Sequence, residues 1–180
     1  MQTKQKLSSV KNLICINKDI KFEPTSINQI LKYFNSSSLI KLQWYSWVDY
    51  DFKKLSRFTN LIELNLRICN NLFFLDTPEK LIELKLGENC QVEDFYELLN
   101  SQKLSKLVLK DCYGIGVSEL DELTSLTELS LSNCGLQYLY LGNLTNLRRF
   151  QLIGFDELET ADGISELTKL TKLDLRNSPT

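Results

Sequence analysis

The sequence predicts one α/β solenoid: an arc of stacked coils with a parallel β-sheet on its concave side and short helices or irregular turns on its convex side. Two observations carry this prediction. The first is a nine-residue pattern of apolar positions, clearest in Leu126, Leu129, Leu131 and Cys134, that returns in copies starting at residues 39, 61, 81, 104, 126, 147 and 170. The second is its near-constant period, with successive offsets of 22, 20, 23, 22, 21 and 23 residues, which is the mark of a chain that stacks one supersecondary unit on the next. Each unit holds its fourth and sixth residues apolar, as in Leu64 with Leu66 and Leu107 with Leu109. Strand side chains alternate between faces, so those two positions point into the core while the third, fifth and seventh point away from it.

Taken in order, Met1 to Ser9 are polar, and Val10, Leu13 and Cys15 repeat the core spacing loosely, as a first, capping strand. Ile27, Ile30, Leu31 and Phe34 then fall at helical spacing in the stretch Pro24 to Phe34. Ser26 with Gln29 fits a capping box, and the polar run Asn35 to Ser38 ends the helix. Residues 1–38 thus form an N-terminal cap, equivalent to one longer repeat, and residues 39–180 the repeat domain. Return segments between strands differ. Glu93 to Asn100 and Ile115 to Leu123 have the spacing of short helices, Leu136 to Leu144 has none, and Leu158, Ala161, Ile164 and Leu167 fit a further short helix. Trp44 and Trp47 take core slots of the degenerate copy at 39, inside an aromatic run that ends at Phe52.

From Leu39 onward, about four-fifths of its length, the chain resembles the leucine-rich-repeat family. The resemblance implies a horseshoe or arc whose concave sheet binds other proteins. It also implies a role for the ninth residue of each unit, where the family places an Asn that bonds the backbone of adjacent coils. In this chain Asn89 keeps that residue type, whereas Cys69, Cys112 and Cys134 stand in the slot elsewhere. These thiols are expected to be buried and structural, and Cys90, one residue past the slot, to be the most exposed of them.

Composition narrows the function further. A net charge of -2 gives no whole-chain reason to expect nucleic acid or an acidic membrane as partner. An odd count of five cysteines, three of them in one repeat position, fits free thiols in a reducing, cytoplasmic compartment, with the nucleus also open, better than a disulfide framework. No histidine is present, which removes the commonest general base and the Ser-His and Cys-His nucleophile pairs. Without histidine or a Cys-x-x-Cys pair a metal centre has no ligand set, and no glycine-rich phosphate loop occurs beyond the lone Gly114-Ile115-Gly116. An enzyme, a cofactor and a metal are therefore not expected. Nor does any apolar run approach the roughly 20 residues that span a bilayer.

Recognition is left to the outward columns of the sheet. The second, third, fifth, seventh and eighth residues of the seven copies hold nine Lys or Arg against six Asp or Glu, while return segments after Leu81 hold eleven acids. The face leans basic and the outer edge acidic. Candidate partner-binding residues are Lys41, Gln43, Tyr45, Glu63, Asn65, Arg67, Glu83, Lys85, Lys106, Lys110, Arg149 and Gln151. Ile40, Ile62 and Ile82 align in the second column and form either an exposed anchor beside Tyr45 and Arg67 or a strip covered by the cap. The expected function is a non-catalytic scaffold that binds a partner protein. The resemblance leaves two narrower alternatives, a regulatory subunit of a phosphatase-like enzyme and a pathogen effector or ubiquitin-ligase substrate receptor, though no F-box-like helical segment precedes Leu39. The last unit stops at Ser178-Pro179-Thr180 with nothing to cover it, so a fragment, an oligomer contact or a partner at that end is expected.

Overall fold

A computed structural model describes residues 9–16, 27–45, 52, 54–67, 76–91, 98 and 101–177. Eight strands form one all-parallel sheet: β1 (Asn12–Ile16), β2 (Lys41–Tyr45), β3 (Glu63–Arg67), β4 (Glu83–Gly87), β5 (Lys106–Lys110), β6 (Glu128–Ser132), β8 (Arg149–Ile153) and β10 (Lys172–Arg176). Two further strands, β7 (Tyr138–Tyr140) and β9 (Thr160–Asp162), pair with each other on the opposite side of the coils. The helices among the described residues are α1 (Ile27–Tyr33), α2 (Val117–Asp121), and 3-10 turns at Leu55–Arg57 and Ile164–Glu166.

Register between neighbouring strands is strict. Leu42, Leu64, Leu84, Leu107, Leu129, Phe150 and Leu173 align across the sheet, as do Trp44, Leu66, Leu86, Leu109, Leu131, Leu152 and Leu175. Through β8 these two columns are buried, and the residues between them are more exposed. β1 joins the same register, with Leu13 opposite Leu42 and Cys15 opposite Trp44. Trp44 fills its wider coil by meeting Phe52 edge-on, with ring centroids 6.1 Å apart. On β10, by contrast, Leu173 is 45 % exposed.

A second period, of three residues, brings the chain into each strand. Leu55, Phe58 and Leu61 are successive buried residues, and the amides of Phe58 and Leu61 donate to the carbonyls three residues back at 2.9 Å each. The same paired turns recur in Leu120-Leu123-Leu126, Leu141-Leu144-Leu147 and Ile164-Leu167-Leu170. Each is a tight 3-10-like approach that sets three side chains on one line, since three residues make one 3-10 turn. In the coil at Leu98-Ser101-Leu104 the middle slot holds Ser101, which is buried and whose hydroxyl finds no hydrogen-bond partner. Ser101→Ala is expected to stabilise the protein by about 1 kcal/mol, because an unpaired buried hydroxyl is removed. The check is the urea midpoint, which should rise at unchanged m-value.

Strands end in a column of left-handed residues. Glu88 (φ 61), Asp111 (φ 51), Asn133 (φ 50), Gly154 (φ 72) and Asn177 (φ 52) hold the eighth position of their units. Asn, Asp and Gly are the residues that adopt this conformation at least cost. The eighth position is therefore a turn, which corrects the expectation that it is an outward strand position.

The ladder slot is corrected as well. In the copy at 81 the chain carries one extra residue, so that Asn89 (φ 68) also turns left-handed and is exposed, and Cys90, not Asn89, enters the slot. Cys90 is fully buried. Its Sγ–H donates to the Gly87 carbonyl at 3.1 Å, Cys112 to Lys110 at 3.4 Å and Cys134 to Ser132 at 3.3 Å. Three thiols thus stack in successive coils, each capping the strand carbonyl that precedes it. Interaction with the neighbouring Cys134 and Cys90 thiols, and then burial, push the Cys112 thiol up, which keeps it protonated.

On the convex side α2 forms within Ile115 to Leu123, with Leu120 and Leu123 buried. Leu136 to Leu144 has no helix but contributes β7. The expected helix over Leu158 to Leu167 is replaced by β9 and a 3-10 turn: Gly163 (φ 82) breaks the run, and the Leu141 amide instead donates to the Asp162 carbonyl at 3.0 Å. Buried Asp121 ties two coils together, accepting the Asn143 amide at 3.0 Å and the Asn143 side-chain amide. Ser26 of the capping box, Trp47, Cys69 and the Glu93 to Asn100 helix, apart from the helical Leu98, lie outside the described residues.

Candidate protein-binding face

All twelve candidate residues lie on the outward face of the main sheet, on β2, β3, β4, β5 and β8. Period two and strict register put them in three columns. The third residues of the units run Lys41, Glu63, Glu83, Lys106, Glu128, Arg149 and Lys172 from strand to strand. Neighbours of opposite charge in this row pair with one another, whereas Glu63 faces Glu83 and Arg149 faces Lys172. Lys41 Nζ lies 2.5 Å from Glu63, Lys106 Nζ lies 3.2 Å from Glu83 and 3.8 Å from Glu128, and Arg149 pairs with Glu128. Lys85, one column over, reaches Glu83 at 2.6 Å. Many of the charges therefore hold each other in place, which orders the long side chains at little net gain in stability.

Burial alone would raise the Glu83 carboxyl, but hydrogen bonds and charge from Lys85 and Lys106 outweigh it and hold the group below the usual carboxylate value. Lys85 and Lys106 thus keep the Glu83 carboxylate charged.

Tyr45 and Arg67, neighbours in the seventh column, stack with the guanidinium 5.2 Å from the ring centroid, and Arg67 also pairs with Glu88 at 3.3 Å. Lys110, in the same column, is exposed and reaches Asp111 only at 4.0 Å. The fifth column runs Gln43, Asn65, Lys85, Val108, Ser130, Gln151 and Asp174. At its far end Ser130 donates to Gln151 at 2.8 Å, Gln151 donates to Asp174 at 3.0 Å, and Arg176 holds Asp174 with bonds of 2.8 and 2.9 Å.

Hollows open on this face, two of them lined by described residues. The larger, about 270 Å³, lies over β5, β6, β8 and β10 around Val108 and Ser130; the smaller, about 110 Å³, lies beside Gly87 between Arg67, Lys85 and Lys110. Lys172, Asp174 and Arg176 belong to the face yet were absent from the candidate set, although the copy at 170 places them in the same columns. So does Ile14, 58 % exposed and aligned with Gln43, whose only sequence signal is the loose register of the first copy. Of the isoleucine strip, Ile40 and Ile62 are half-buried and Ile82 is 42 % exposed, so it is neither fully covered nor fully open. The carbonyl of Ile40 accepts the amides of both Ile62 and Glu63, at 2.8 and 3.1 Å, and this double bond recurs at Ile62, Ile82, Ser105, Thr127 and Arg148. These residues mark the entry edge of the strands. Among the described residues no cluster of three potential metal ligands occurs, and no helix is long and apolar enough to cross a membrane.

No family model matches the sequence, and no curated protein does. Among solved structures the chain is similar to an internalin, InlF, from Listeria monocytogenes, at 24 % identity and a TM-score of 0.57. The likeness covers 86 % of this chain and 52 % of that one, so the chain spans about half the length of the structure it matches. Together with the strand register and the repeat spacing, this makes the fold of the chain a leucine-rich-repeat solenoid.

Proposed function

We propose that this protein is a non-catalytic interaction module that grips a partner protein with the concave face of its main sheet. The observation that carries this reading is the face itself: eight strands in one register present ordered polar and charged columns, hollowed in places, with the apolar core sealed behind them. Such an array suits recognition by electrostatic complementarity, which sets specificity and encounter rate more than affinity. The twelve candidate residues, with Lys172, Asp174 and Arg176 added, are its contact set. Residues 1–38 serve in this reading as the cap of the 39–180 repeat array, and the free, buried Cys90, Cys112 and Cys134 support a reducing compartment as part of the same proposal. No specific observation favours the phosphatase-subunit, effector or ubiquitin-ligase readings.

Arg67→Glu with Lys85→Glu tests it. Each reversal loses an exposed ion pair, so the expected stability loss is about 1 kcal/mol, or a few degrees in melting temperature. Affinity capture followed by mass spectrometry should then lose partners that the wild-type protein retains and that a convex-face variant, Glu157→Lys with Glu159→Lys, also retains. Partners lost with the convex variant alone would move the interface off the sheet.

A further inference from the structure

The larger hollow is not electrically balanced. Along the third column opposite charges alternate from Glu83 to Arg149, but like charges meet where Glu63 faces Glu83 and again where Arg149 faces Lys172 on β10. Two cations thus face each other across adjacent strands, an unfavourable arrangement at a strand spacing of about 4.8 Å. Glu128, on the other side of Arg149, is already shared with Lys106. Asp174, the acid nearest Lys172 along its own strand, is held by both guanidinium bonds of Arg176 and by Gln151. Among the described residues no ion pair reaches Lys172. Lys85, Lys106, Arg149 and Lys172 therefore surround the hollow against the carboxylates of Glu128 and Asp174, both already engaged by cations, with Val108 and Ser130 as its floor.

Resting on the concave-face reading, we propose that this hollow takes an acidic, extended segment of the partner protein, with one carboxylate seated between Arg149 and Lys172. A ligand carboxylate there pairs with two cations that strand register sets opposite each other, so binding gains the new pairing and offsets their repulsion. Glu83 already shows how the same field treats a carboxylate, since Lys85 and Lys106 overcome its burial and keep it ionised. The shape fits as well. Four strands span about 14 Å, which is the reach of about four extended residues. The smaller charge excess in the first half of the face agrees: Lys41 is matched by Glu63, and Arg67 by Glu88 and the Tyr45 ring.

The test is an amide chemical-shift titration of the ¹⁵N-labelled full chain with end-blocked hexaglutamate, and separately with end-blocked hexalysine. Saturable shifts at Val108, Ser130 and Gln151 with hexaglutamate alone, lost as salt is raised, are expected. Arg149→Glu with Lys172→Glu should keep the circular dichroism spectrum and weaken hexaglutamate at least tenfold; should that variant fail to fold, Lys172→Gln on the edge strand should weaken it at least threefold. Shifts at the same residues with hexalysine would overturn the polarity of the proposal and leave the concave-face reading standing. Hexaglutamate shifts confined to the return segments would overturn both. No saturable shift with hexaglutamate, or full binding by a folded double variant, would overturn the acidic-segment proposal alone, since the Arg67 and Lys85 capture experiment tests the face independently.

Discussion

Replacing Gly163 by alanine is expected to cost about 2–4 kcal/mol, more than its size suggests. Gly163 turns the chain from β9 into a 3-10 turn at φ 82, where an L-residue pays a backbone penalty of about 1–2 kcal/mol. The larger contribution is a collision. A Cβ there would overlap the amide nitrogen of Gly142, lie 2.8 Å from its Cα and stand 3.2 Å from the Leu141 carbonyl carbon, all of them backbone atoms that cannot rotate away. Gly135 supplies the control. It too has a positive φ, of 62, but a Cβ meets only the Tyr113 ring edge at 3.9 Å, so Gly135→Ala should lose only the backbone penalty. Urea unfolding of the two variants measures the difference, and equal losses would mean that β7 and β9 are not packed as described.

Cys112→Asp is expected to be more disruptive still, by at least about 3 kcal/mol at neutral pH, because a carboxylate in this fully buried slot would lose its hydration. Cys112→Asn should cost only about 1 kcal/mol, since an amide can donate to the Lys110 carbonyl that the thiol now caps. The pH dependence separates the two. Burial raises the folded-state pKa of the new aspartate above its unfolded value of about 3.9, so its penalty is small below that value and grows as pH rises through and beyond it. The asparagine variant should show no such added slope. Equal stability of both variants at neutral pH would mean that the slot is open to water.

These two positions also show what could be read from the sequence and what could not. The core columns were legible because leucine at the fourth and sixth positions needs only period-two alternation and a constant repeat, and the structure buries Leu64 with Leu66 and Leu129 with Leu131 accordingly. Cys90 was misplaced because counting from Leu81 assumes equal loops, whereas the backbone absorbs one extra residue by turning Glu88 and Asn89 left-handed. The signal was available in the Asp111, Asn133 and Asn177 column, whose residue types tolerate that conformation. The period-three run into each strand was also on the page, in Leu120, Leu123 and Leu126, yet it resembles a helix face when read alone. β9 replaced an expected helix because apolar spacing does not report the close approach of Gly142 and Gly163. On the outward face of the sheet, the mixture of charges was legible, but its lateral pairing was not. Which cations remain unmatched depends on strand register, and that exposes Lys172 opposite Arg149.

The most direct test of where recognition resides is lysine-specific cross-linking of the captured complex, read by mass spectrometry. Lysines sample both sides of the coils. Links from the partner to Lys85, Lys106, Lys110 and Lys172 on the sheet face, with Lys103 and Lys169 in the return segments unlinked, are the expected result. Links confined to Lys103 and Lys169 would contradict the assignment of binding to the concave face.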